Sequence, residues 1–204
     1  LIHISSFSQK YEDIIINVEK NDYEKAFTQL FRYQQGNPDF PNVYFQLGNI
    51  SYHWAINSDP LTDIKQTEYY IHNTKLFYGL FLSKLEDNDR EVRRNEKIYK
   101  TVPELKNIDK ISNTEAIDFV GKRLINIDEF DKKIHSIANL FHNSVDKYNQ
   151  ALYIFLSIIE KYDNLNDIYL EQKSSILKST SDLIINFDSA IFFFNKYRQA
   201  IDEY

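Results

Sequence analysis

Cysteine is absent from this 204-residue chain. That excludes disulfides, cysteine-ligated zinc and a thiol nucleophile together, and it suits the cytosol as well as an envelope compartment. Glycine and proline occur four times each, well below the roughly 7% and 5% of average chains. Folds built from strands and tight turns need both residues, so their scarcity predicts long helices joined by short polar turns. No basic stripe extends beyond pairs such as Arg93-Arg94 and Lys132-Lys133, which read as solvated helix faces; no nucleic-acid partner is expected. The longest apolar run, Ala190 to Phe194, falls far short of the ~20 residues that span a bilayer. No glycine-rich phosphate loop, HExxH pair or nucleophile elbow occurs. Neither a cofactor nor a metal is implied, and the chain does not read as an enzyme.

Against these absences stand 43% hydrophobic residues, with fifteen tyrosines and fifteen phenylalanines, and a net charge of −6. Large flat rings suit the packing of helix on helix. Ile127, Phe130, Ile134, Ile137, Phe141 and Val145 recur at steps of three and four, which draws one apolar helical stripe. Tyr148, Ala151, Leu152, Phe155, Ile158, Ile159 and Tyr162 draw another beyond the polar pair Asp146-Lys147. Two stripes joined by a few polar residues predict an antiparallel helix hairpin.

Local chemistry places the breaks. Gly36-Asn37-Pro38 ends one helix and Pro41 opens the next; Ser58-Asp59-Pro60 ends that one in turn. Ser112-Asn113-Thr114-Glu115 has a small polar cap ahead of an acidic first turn. Helices are expected near 8–19, 22–35, 41–57, 61–86, 89–101, 113–126, 128–145, 148–163, 166–186 and 188–203. The whole is expected to form one all-α domain over 1–204. Its first helix pairs lie in 8–86, an irregular insertion in 87–127 and further pairs in 128–203.

An internal repeat sharpens the reading. Tyr23 precedes Ala26, Tyr148 precedes Ala151 and Phe187 precedes Ala190, each by three positions after a polar turn. Four beyond each alanine lie Leu30, Phe155 and Phe194, and seven beyond lie Tyr33, Ile158 and Tyr197. A small residue lets two helices approach closely, and bulky ones a turn later fill the groove beside it. In the first copy Pro38 follows, and then Tyr44, Leu47 and Gly48 open the next helix in register. This pattern resembles the tetratricopeptide repeat (TPR), in a form with insertions. The resemblance implies stacked antiparallel helix hairpins, a superhelix, and Gly48 at the closest helix crossing.

The resemblance further implies a scaffold that holds a protein or peptide on its concave face. Carried onto the best-matched repeat, the groove-facing positions are Asn42, Phe45, Asn49, Tyr52 and His53, expected to be partly exposed along one groove. The lysines and arginines with which the family clamps a carboxylate are missing from these positions. Two other readings stand beside it: a structural part of an envelope or secretion assembly, and an enzyme or ligand sensor using the 86–126 region, where Glu91, Arg93, Arg94 and Glu96 cluster. A chain that begins at Leu1 reads as processed or truncated, which leans towards an exported protein. His135 and His142 share a helix face with Asp131, but seven residues separate the imidazoles by ~10 Å along the axis. One zinc needs its nitrogens within ~2.1 Å, so no shared metal site is expected.

Overall fold

The computed structural model describes residues 11–60, 62–85, 92, 95–161 and 173–203. Among them every regular element is helical. Helix α1 spans Tyr11–Glu19, α2 Tyr23–Gly36, α3 Pro41–Asn57 and α4 Ile64–Lys84. A single turn, α5 (Glu96–Tyr99), and a 3-10 turn at Pro103–Leu105 lie in the otherwise irregular stretch 95–112. Two long helices follow, α6 (Asn113–Lys161) and α7 (Lys173–Asp202).

The punctuation residues act as their chemistry dictates. Pro41 occupies the first turn of α3, where its missing N–H is no loss. The Asp63 carboxylate accepts from the backbone N–H of Gln66 and caps α4. At the start of α6 the Glu115 carboxylate reaches back to the backbone N–H of Ser112, at 2.8 Å.

The long helices correct the expected boundaries. Breaks were expected near residue 127, at Asp146-Lys147 and at Phe187, yet α6 and α7 run through all three. Asp and Lys are tolerated inside a helix, and none of the three sites contains the glycine or proline that would stop one. The polar pair marks an outer helix face. Within the helix expected over 89–101, the described residues show Val92 and the turn Glu96–Tyr99 as helical. Glu91, Arg93 and Arg94 lie outside them, as do Tyr162 and the first part of the helix expected at 166–186.

The chain divides into two compact units, Leu1–Asp131 and Lys132–Tyr204. In the first, α3 packs chiefly on α4, while α2 packs on both α1 and α3. Ala26 and Leu30 of α2 are fully buried there, as are Phe45 and Leu47 of α3 and Tyr78 and Phe81 of α4. Tyr99 and Ile111 of the irregular stretch and Val120 of α6 complete the same core. The second unit is an antiparallel pair formed by the later part of α6 and by α7. Ser144 donates to the backbone carbonyl of Ala190 at 3.0 Å, and Lys133 Nζ reaches the carbonyl of Glu203 at 3.3 Å. Ala151 and Ala190 are both buried.

Candidate functional site

Helix α3 carries the residues expected to line a groove, and its surroundings decide their fate. Every residue from Pro41 to Ser51 is buried. One side of the helix carries the polar row Asn42, Gln46 and Asn49 at helical steps of four and three, and the irregular stretch and α6 engage it. The Tyr99 hydroxyl donates to Asn42 Oδ1, and Gln46 Nε2 donates to the backbone carbonyl of Ile98 at 2.8 Å. Gln46 Nε2 also donates to Thr101 Oγ1 at 3.0 Å. Asn49 Oδ1 accepts from the Tyr78 hydroxyl at 2.8 Å and from Arg123 Nη1 at 3.0 Å. Between these contacts the Phe45 ring packs against Phe81, Tyr99 and Phe119.

Asn42, Phe45 and Asn49 are therefore not exposed along a groove. Their face is covered by the chain's own residues, and the insertion expected at 87–127 supplies much of that cover. Tyr52 is half-buried and His53 exposed, and His53 lines an opening in the cover. That opening is a cleft of about 390 Å³ lined by Gln46, Asn49, His53, Thr101, Glu104 and Arg123, among others.

Arg123 organises the cleft. Its guanidinium lies 4.4 Å from the ring centres of both Tyr52 and Phe119, donates to Asn49 and Tyr78, and pairs with Glu104 Oε1 at 2.8 Å. Burial works against its charge, but Tyr78 and Glu104 outweigh burial and hold the group more firmly protonated than usual. Burial pushes the Glu104 carboxyl up, and the hydrogen bond and charge of Arg123 more than offset that, leaving it below its ordinary value. His53 is lowered by burial and by the charge of Arg123.

The cleft offers little for chemistry. Its arginine already has a carboxylate partner and two aromatic rings beside it. Three polar atoms without a protein partner, Gln46 Oε1, Asn49 Nδ2 and Arg123 Nε, are enclosed below the cleft surface. Arg123 was missed by sequence reasoning; its only local signal is the i, i+4 spacing from Phe119, which allows a ring to stack on the guanidinium. Among the described residues no group of three metal-ligating side chains converges. His135 and His142 are exposed on α6. Glu96 pairs with Lys100 at 2.6 Å, one helical turn away. No described helix is long and apolar enough to cross a membrane.

A different surface stands out in the second unit. Its buried side chains, among the described residues, are Ile134, Ile137, Ser144, Ala151 and Ala190, a narrow seam for two such long helices. Beside it on α6, Phe141, Val145, Tyr148, Leu152, Leu156 and Ile159 remain 37–52% exposed. On α7, Leu177, Ile184 and Ile191 are 54–59% exposed. No family model, curated protein or solved structure matches the chain.

Proposed function

We propose that this chain is a protein-binding scaffold of TPR-like helix hairpins whose docking surface is the apolar face of the Lys132–Tyr204 unit. The carrying observation is the exposure of the α6 and α7 side chains named above. Folded monomers rarely leave contiguous apolar patches larger than a few hundred Å² uncovered, and larger ones mark interaction sites. The tetratricopeptide reading draws support from the first unit, from the buried Ala26 of α2 and from the contact between Gly48 and the ring of Tyr78. Binding is favoured over catalysis because the Arg123 cleft has its charges neutralised internally and its spare polar atoms enclosed.

Site-specific photo-crosslinking tests this reading. A photoreactive residue at Leu156 or at Ile184 should capture one and the same protein, identified by mass spectrometry, in cells that make the chain. The same probe at exposed Lys132 should not. Capture of unrelated proteins from the two face positions, or none, would overturn the reading.

A further inference from the structure

We infer that the occupant of this apolar face is a second copy of the same unit, so that two antiparallel helix pairs close into a four-helix bundle. The inference rests on the protein-binding reading above and names its partner.

The register of the pair follows from observed contacts. Ser144 faces Ala190, the rings of Tyr148 and Phe187 lie 6.0 Å apart, and those of Phe141 and Tyr197 lie 5.2 Å apart. In that register Val145 stands level with Ile191, Leu152 with Ile184, and Ile159 with Leu177. These rungs recur every seven residues, about 10.5 Å along the axis. On each helix they are rotated from the seam in the same sense. Antiparallel partners are related by a two-fold axis across their seam, so equal rotation brings both rows to one face of the pair. The opposite face carries a polar contact at its middle, Lys147 Nζ 3.4 Å from Asn186 Oδ1, flanked one heptad away by the half-buried Leu140, Ile154 and Phe193.

Three properties of the face favour a second copy. A strict seven-residue repeat asks for a helical partner with the same repeat, and an identical face turned through a two-fold axis supplies it. The three rungs themselves carry no charge: Asp146 and Asp182 fall on the back or the opposite side, while Asp188 stands at the edge of the face, one turn from Ile184, and Arg198 continues the Ile184 row one heptad beyond Ile191. Area is the third. The nine half-exposed apolar side chains of α6 and α7 named above contribute on the order of 80–100 Å² each, close to the ~800 Å² per partner of a standard interface.

The experiment uses the full chain. Light scattering behind size exclusion at micromolar concentration should give twice the 24.3 kDa of one chain. Leu152→Glu with Ile184→Glu should halve that mass, whereas Tyr153→Glu, on the outward side of α6 at 75% exposure, should not. Should the charged variant lose helicity, Leu152→Cys keeps the test open, because the chain has no cysteine of its own. A short bis-maleimide should then yield a covalent dimer from Leu152→Cys and little from Tyr153→Cys. A dimer indifferent to Leu152→Glu with Ile184→Glu, or equal cross-linking at the two cysteines, overturns the inference. So does a monomeric wild type, and an apolar dye then separates the two claims. Strong dye fluorescence leaves the face open to another protein, so only the inference falls; a dark result means the face is covered within the chain, and the protein-binding reading falls as well.

Discussion

The ring of Tyr78 occupies the space in which a side chain on Gly48 would begin. A β-carbon built there would stand 2.5 Å from Tyr78 Cδ1 and 2.6 Å from Cε1, closer than any real contact. Tyr78 cannot simply yield. It is fully buried, and its hydroxyl is tied to Asn49 and Arg123.

Gly48→Ala should therefore destabilise the chain, although alanine is the better helix former. Overpacking costs about 1–3 kcal/mol, against up to ~1 kcal/mol gained in helix propensity. Gly79 offers the control, since a β-carbon there meets nothing within 4 Å. Gly79→Ala should raise the chemical-denaturation midpoint and Gly48→Ala should lower it.

Phe45 and Tyr52, both expected at first to grip a ligand, should separate on mutation. Phe45 is wholly buried among three rings, and its replacement by alanine should cost about 3–5 kcal/mol. Tyr52 is half-buried over Arg123, so Tyr52→Ala should cost about 1 kcal/mol or a little more, mostly lost stacking. Equal losses in urea unfolding would contradict the burial described for α3.

Acid should weaken the fold in two steps. His53 is held below its ordinary 6.5 in the folded chain, so the unfolded chain binds its proton more readily. Its contribution is present above pH 6.5 and is lost as the pH falls below that value. Glu104 is held below its ordinary 4.5, so its contribution persists to lower pH and is lost as the pH falls through its folded value. Melting temperature followed from neutral to acid pH should fall across both windows. His53→Gln should flatten the first and leave the second in place, and Glu104→Gln should do the reverse.

The sequence disclosed what local chemistry decides. The limits of α3 follow from Pro41 at one end and Ser58-Asp59-Pro60 at the other, and the observed helix runs from Pro41 to Asn57. Alanines spaced for close approach are buried at 26, 151 and 190. The polar pair Asp146-Lys147 misled, because it interrupts a stripe without interrupting a helix. Phe45 and Asn49 misled for a different reason. Nothing near them reveals that Tyr99 and Arg123, fifty or more residues downstream, will cover that side of α3. Arg123 itself reads as one more surface cation until Tyr52, Phe119 and Glu104 are seen around it.

The covering of α3 has a consequence for the nascent chain. Asn42 waits for Tyr99, 57 residues later, and Asn49 waits for Arg123, 74 residues later. At about 5–20 residues per second of translation, Arg123 is added some 4–15 s after Asn49. For that interval the amide-lined side of α3, with Phe45 beside it, lacks its native cover, and it offers chaperones a transient client surface that the finished protein withdraws.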